Sequence, residues 1–297
     1  MCVFTDDGIW FLQTNSEGDF TGSKPGSRDV CVSEKSITSI DNAVVFVTDK
    51  AVMLISGSEV ISLSENMNGK HFHLDGGSSP STEYSLISSG AWAPLLESVT
   101  DDTHFMAFMK EAFIVYDYPG NRLVFFKPDE VYQYVYCIET KTWHKMFVER
   151  DEMIDETTYA MLPVRFNNPI SDYPDTYVNA TFGGQNPSKE ILKISTRKDV
   201  TSSGLTKGMI ITRTIDLDAA YVRKSIRDIR IRGVFDKSHV RYILLGSYDG
   251  LSWSVLGSLR GSSHKFFRMI VLTNLGVNER ISYIDIDFEE RYNNKLR

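Results

Sequence analysis

Short apolar runs, cut by polar turns, dominate this sequence and limit what it can fold into. Runs at 8–12, 43–47, 51–55 and 60–63 are each bounded by residues such as Asp, Ser, Thr, Gly and Lys. Turn residues recur roughly every 8 to 15 positions, whereas long stretches with the helical period are almost absent. This pattern is typical of antiparallel sheets joined by tight turns. We therefore predict an all-β protein, built as a sandwich, a barrel or a propeller.

Residues 1–150 are interpreted as a propeller-like β-meander. Its clearest hairpin turns at Pro119 and Gly120, which supply the fixed φ and the positive φ of a tight turn. Two more short strands follow, and the last contains Trp143, so that the four strands together resemble one propeller blade. The predicted strands of this blade are 112–118, 122–126, 131–137 and 143–146. The run 39–63 resembles part of a second blade.

The middle of the chain is less regular. We expect a loop at 76–80, a short helix within 83–96 and a new set of strands from Phe105. The segment 151–207 is polar and interrupted by prolines. We interpret it as a Pro-rich bridge between two domains, with one or two strands near 189–195.

Residues 208–297 are again rich in strand-like runs. Six runs of this length predict a small C-terminal β-sandwich. The predicted strands are 209–213, 226–231, 240–245, 253–258, 266–272 and 281–288.

The net charge argues against general nucleic-acid binding. The 297-residue chain has a formal charge of −7, whereas binding to phosphates needs a basic surface. Basic residues are nevertheless crowded into one stretch, which we interpret either as a solvated face or as an interaction surface that docks on an acidic neighbour. The residues assigned to this surface are Arg223, Lys224, Arg227, Arg230, Arg232 and Arg241.

Cysteines and histidines give no metal-binding or disulfide pattern. The three cysteines form no Cys-x-x-Cys pair and suit free thiols in a reducing compartment. His71 and His73 form the only close pair of histidines, and we expect no metal site. No apolar run approaches the roughly 20 residues that cross a bilayer. Asp6 and Asp7 occupy positions where a signal peptide is positively charged, so we expect neither a membrane partner nor export by that route.

Motifs of enzymes are missing as well. The candidate carboxylate pairs lie in predicted turns or polar linkers, where Asp binds its own backbone. These pairs are Asp6 with Asp7, Asp101 with Asp102 and Asp155 with Glu156. The sequence has no Gly-x-Ser-x-Gly motif, and Gly183 and Gly184 are not followed by the Lys-Ser/Thr of a phosphate-binding loop. We expect a non-enzymatic protein with no catalytic residue and no cofactor.

The segment 247–253 has two interpretations. Asp249 and Gly250 suit a tight hairpin turn, after which Trp253 would anchor the returning strand in the core. The same segment resembles the Ser-x-Asp-Gly-x-x-Trp motif of discoidin-like carbohydrate-binding sandwiches, and more loosely the Asp-box of sialidase propellers. That resemblance implies a glycan contact at Asp249 and Trp253.

A longer series of short matches covers most of residues 40–297. Its members are 116–122, 134–136, Trp143, 209–217, 224–226, 231–235, 245–250, Trp253, 265–268 and 288–297. In this series the chain resembles tail proteins of crAss-like and related short-tailed phages and prophages of gut Bacteroidales, variously called muzzle, nozzle or tail stabilisation proteins. Proteins of that family are usually much longer, so we expect either a fragment or a short form.

The resemblance implies a structural component of the virion tail that forms a homo-oligomeric ring and lines or gates the DNA channel. It implies other tail or portal-proximal virion proteins as partners, passage of DNA without sequence-specific binding, and a stay in the host cytoplasm during assembly. It brings no catalytic residue to this chain. The alternative is a carbohydrate-binding β-sandwich protein of a gut bacterium, and a glycosidase built on a propeller is a third hypothesis.

Overall fold

The computed structural model of the chain is all-β, as the turn spacing predicts. Among the described residues, one α-helix accompanies 23 strands, which form seven sheets. The chain divides into two compact units, an N-terminal unit of residues 1–69 and 103–197 and a C-terminal unit of residues 70–102 and 198–297. The structure describes residues 2–24, 29–57, 59–65, 67, 73–75, 103–128, 130–147, 149–153, 159–182, 188–194, 205–218, 220–257, 263–276 and 278–291.

The N-terminal unit contains antiparallel sheets whose strands follow one another along the chain. The first sheet is β1 (Cys2–Thr5), β2 (Gly8–Thr14) and β3 (Phe20–Ser23). The second is β4 (Ile37–Ile40), β5 (Ala43–Val47), β6 (Val52–Ser56) and β7 (Glu59–Ser62), preceded by a 3-10 turn at Glu34–Ser36. The third is β9 (Phe113–Asp117), β10 (Arg122–Phe126), β11 (Tyr132–Cys137) and β12 (Thr142–Phe147). A hairpin of β13 (Glu149–Met153) and β14 (Tyr159–Pro163) precedes the fourth sheet, which is β15 (Arg165–Asp172), β16 (Asp175–Phe182) and β17 (Ser188–Ile194).

Successive sheets of this unit pack face to face through shared cores. Because side chains alternate between the two faces of a strand, Leu123 and Phe125 of β10 face the second sheet, while Val124 and Phe126 face the fourth. The first and second sheets share a core around Ile9. The first strands of neighbouring sheets also lie together, β4 beside β9 and β9 beside β15. The second and third sheets are therefore covered on both faces.

Helix α1 (Thr103–Glu111) occupies the position where we expected new strands from Phe105, so that prediction is wrong. Phe105, Phe108 and Met109 recur at helical spacing and lie in the core between the second and third sheets. The run is too short to show this period clearly against the strand-like pattern around it. The predicted loop at 76–80 and the predicted helix at 83–96 lie outside the described residues.

The segment 151–207, interpreted as a bridge, contains the whole fourth sheet, which packs on the third through Phe166 and Val178. Two of its prolines, Pro169 and Pro174, occupy places that a sheet tolerates. Pro169 lies in the edge strand β15 at a register shift between Asn167 and Ile170, and Pro174 lies in the turn after that strand. Proline in this segment therefore marks an edge and a turn within a sheet.

The C-terminal unit contains a five-stranded sheet and a two-stranded ribbon. In spatial order the sheet is β18 (Leu205–Ile211), β22 (Phe266–Gly276), β20 (Val240–Ser247), β21 (Ser252–Val255) and β8 (His73–Asp75). The ribbon is β19 (Arg223–Val234) with β23 (Arg280–Arg291), and a 3-10 turn at Lys237–His239 leads into β20. All six strands predicted in this region are present.

The ribbon lays its apolar face on one side of this sheet. Ile226 and Ile229 of β19 share a core with Leu244, Phe267 and Met269 of the sheet. The opposite side of the sheet has its own core, around Ile243, Leu245 and Trp253. The sheet is thus buried on both faces, which explains the continuous apolar runs in β20 and β22.

Candidate interaction surface

The ribbon places most of the predicted basic residues, and a bulge in β19 fixes their side. Ile226 pairs with Phe288 and Ile229 with Ile286, while the register shifts between Ile226 and Asp228. Ile226 and Ile229 are three positions apart, and in a regular strand their side chains would point to opposite faces. The extra residue in β19 brings Ile229 back to the core side, the same side as Ile226. Arg227, Arg230 and Arg232 are thereby directed away from the core.

Three of the six predicted residues, Arg227, Arg230 and Arg232, lie exposed along this outer side and already have acidic partners. Arg227 binds Glu289 at 3.0 Å and Arg232 binds Asp285 at 3.1 Å, both across the ribbon. Arg230 binds Asp228 on its own strand at 2.6 Å. The carboxylate of Asp228 raises the pKa of Arg230 above its usual range. For these arginines the acidic neighbour expected on another protein is present in the same chain.

Lys224 is not part of a surface, which corrects its assignment to one. It is fully buried (0% exposed), and its Nζ donates hydrogen bonds to the backbone oxygens of Asp216 and, at 3.2 Å, Lys265. Burial lowers the pKa of its ammonium group. Its backbone also exchanges hydrogen bonds with His264. Lys224 therefore ties three segments of the C-terminal unit together.

Arg223 and Arg241 lie apart from the outer side of the ribbon. The Arg223 guanidinium is 5.1 Å from the centre of the Tyr248 ring, and that ring packs at 4.6 Å on His264. Arg241 lies in β20 of the five-stranded sheet, opposite Leu272. The six residues thus divide into an exposed row of three, one internal tie, one stacked arginine and one arginine on another sheet.

The segment 247–253 forms the predicted tight turn. The Asp249 carboxylate accepts hydrogen bonds from the backbone N–H groups of Leu251 and Ser252 at 2.9 Å each, and from the Ser247 hydroxyl at 2.9 Å. These hydrogen bonds, that from Ser252 first, lower the pKa of Asp249. Gly250 has φ +80°, which favours glycine. The Asp249 carboxylate therefore stabilises the turn through hydrogen bonds to residues of the turn itself.

Trp253 is fully buried (0% exposed) in the core around Ile243 and Leu245, so its assignment as a glycan contact is corrected. The Arg268 guanidinium lies 5.1 Å from the centre of its ring. The nearby Tyr248 is 52% exposed, and its ring already contacts Arg223 and His264. The discoidin-like contact set is therefore not assembled here.

Sequence reasoning missed a second set of surface residues, which lie on the outermost sheets of the N-terminal unit. Phe20, Ile170 and Ile191 are 71%, 65% and 74% exposed. A signal was present for Ile191, since Ile191 and Leu192 are consecutive in a strand and cannot both face one core. Phe20, within a polar turn-rich stretch, gave no such signal.

Within the described ranges, no group of three His, Cys, Asp or Glu side chains is arranged to hold a metal ion. None of the helices formed by described residues is long and apolar enough to span a bilayer.

Comparison with known proteins gives the chain no family. No protein-family model matches the sequence, and no curated protein matches it significantly.

Proposed function

We propose that this chain is a structural, non-enzymatic component of a phage tail, similar to the muzzle or nozzle proteins that its sequence resembles. In this proposal it forms a homo-oligomeric ring that lines or gates the DNA channel and binds other tail or portal-proximal proteins. The N-terminal unit would be a propeller-like set of blades, and the C-terminal unit a sandwich of ribbon and sheet.

The observation that carries the proposal is the serial packing of the sheets in the N-terminal unit. Each of the four is an antiparallel meander, and β4, β9 and β15, the first strands of three of them, lie side by side. Blades of a propeller pack in this way around their innermost strands. The first and last sheets of the series leave large apolar side chains exposed, which favours association with further sheets.

The distribution of charged residues also supports a structural role. The outer side of the ribbon pairs its arginines with acids of the same chain, and such paired surface charges add little net attraction for phosphate. A chain of net charge −7 would let DNA pass without holding it. A sugar-binding function would need another contact set, because Trp253 is enclosed and Asp249 holds its own turn.

The test is the mass of the purified chain in solution, measured by light scattering coupled to gel filtration over a range of concentrations. We expect one discrete oligomer whose mass is a whole multiple of 33.7 kDa and larger than a dimer. A chain that remains monomeric at every concentration would contradict the ring.

A further inference from the structure

The N-terminal unit ends in two sheets that each have one covered face and one outer face. We name the outer face of the first sheet, with Trp10, Leu12 and Phe20, the front face. We name the outer face of the fourth sheet, with Ile170, Tyr177 and Ile191, the back face.

The front face is an apolar surface on β2 and β3. Gly22 lies opposite Leu12, and a Cβ added to Gly22 would contact the side chains of both Leu12 (3.4 Å) and Trp10 (3.6 Å). Phe20 is two residues before Gly22 on the same strand, so it lies on the same face. On β2, Phe11 lies between Trp10 and Leu12 and therefore points to the opposite side, where it packs on the second sheet.

The back face is the corresponding surface on β15, β16 and β17. Ile170 pairs with Tyr177, and Ile191 pairs with Asn179 two residues further along β16, so that these side chains share a face. The intervening Val178 packs inward on the third sheet. Ile170 and Ile191 are mostly exposed, although the opposite side is buried in β15 and β16 and partly buried in β17.

The two faces carry opposite charges around their apolar residues. The turns bordering the front face contain four exposed acidic residues, Asp6, Asp7, Glu17 and Asp19. Lys24 is the only basic residue within 2–24, so this segment has a net negative charge. Arg165, Lys189 and Lys193 alternate with the inward residues on the strands of the back face. There, Lys193 binds Asp175 at 2.6 Å, and Asp172 pairs with Asp175 across the strands, so the outer side of these strands has three basic residues and two acidic ones and a small net positive charge.

We propose that the front face of one copy packs on the back face of the next, so that neighbouring copies continue the face-to-face series of sheets head to tail. This inference rests on the proposed ring and names its interface. Two different faces in contact make a heterologous interface, and repeated use of one such interface closes a ring when the rotation permits. A second copy fits because apolar residues on both faces would be covered and their charged borders are complementary.

The test uses two variants of the full chain, Phe20→Asp on the front face and Ile191→Asp on the back face. Each places a carboxylate where the interface would bury it, and we expect each variant alone to be monomeric where the wild type is oligomeric. A 1:1 mixture should form a dimer and nothing larger, because only one intact front face and one intact back face remain to pair. Leu251→Asp, an exposed change in the C-terminal unit, is the matched control and should assemble like the wild type.

Thermal unfolding by circular dichroism checks that both variants fold, as expected for exposed positions. If folded Phe20→Asp and Ile191→Asp chains assemble as the wild type does, the inference is overturned while the proposed ring stands. A mixture that stays monomeric would also overturn it, since an intact front face and an intact back face would then be present and would not bind each other. A monomeric wild type would overturn the ring itself.

Discussion

The ammonium group of Lys224 is enclosed by the C-terminal unit and donates to the backbone oxygens of Asp216 and Lys265. Lys224→Ala would leave a cavity and two partly buried backbone acceptors without this donor. We expect it to lower the free energy of unfolding by about 2–4 kcal/mol.

The matched control for this prediction is Arg227→Ala on the same strand. Arg227 is exposed and its ion pair with Glu289 is a surface pair, so we expect a loss of less than about 1 kcal/mol. Urea denaturation of both variants measures the difference. Equal losses would show that Lys224 does not hold its neighbours as described.

His264 gives a pH dependence of stability that can be assigned to one residue. Burial, and then the nearby Arg223, lower its pKa below the ordinary 6.5, so the folded chain binds fewer protons here than the unfolded chain. Stability from this residue is therefore fully present above pH 6.5 and falls as the pH decreases from 6.5 toward the folded pKa.

We expect His264→Asn to reduce the decline in melting temperature as the pH falls below 6.5. His144 also has a pKa lowered by burial and contributes in the same direction, so the measured quantity is the difference between wild type and variant. An unchanged slope in calorimetry would count against the assignment.

At the scale of elements, the β19–β23 ribbon depends on close contact between its strands at Gly233. The ribbon shifts register between Arg232 and Gly233, and a Cβ on Gly233 would clash with the backbone oxygen of Arg280 and lie 2.9 Å from the Cα of Ile281. Neither contact is the end of a flexible side chain, so the strands themselves would have to move.

We expect Gly233→Ala to destabilise the protein by at least about 2 kcal/mol, since a rigid backbone cannot accommodate the added carbon. Gly257→Ala is the control, because no described residue lies within 4 Å of a Cβ there. Thermal unfolding of the two variants should separate them by several degrees. Similar melting temperatures would mean that the ribbon opens easily at this bulge.

Two elements differ from the sequence-based expectation. Helix α1 replaced expected strands, because Phe105, Phe108 and Met109 need a helical spacing to reach one core. The segment 151–207 is mostly sheet, which its Pro169 and Pro174 allow because they lie in an edge strand and in a turn. In both cases a neighbouring sheet supplied the apolar surface that made the alternative favourable.

For the whole molecule, the important feature is that its C-terminal unit is not one continuous segment. Strand β8 precedes helix α1 in the sequence, yet it pairs in parallel with β21 of the C-terminal unit. Such pairing between distant segments is entropically costly to form and slows folding. The open ends of the N-terminal unit belong to this scale as well, since they are where copies of the chain would meet.

The sequence by itself determined the all-β class, the hairpin between β9 and β10, the six C-terminal strands and the turn at Asp249. The positive φ of that hairpin is at Asn121 (+46°), however, and the prediction that Gly120 supplies it is wrong. Each of these depends on local rules, namely the alternation of side chains along a strand and the φ angles that particular turn residues supply. These features do not depend on contacts between segments that are distant in sequence, so the local sequence is sufficient to predict them.

Only the tertiary structure decided which charged residues are available. Lys224 is next to Arg223 in sequence, but the packing of β19 on the sheet encloses one and leaves the other on a tyrosine ring. Arg227 and Arg232 acquire carboxylate partners from a strand more than 50 residues away, as the Arg232–Asp285 separation of 53 shows. Exposure and pairing depend on which distant segments meet, and that is set by how the apolar faces of the sheets are buried against one another.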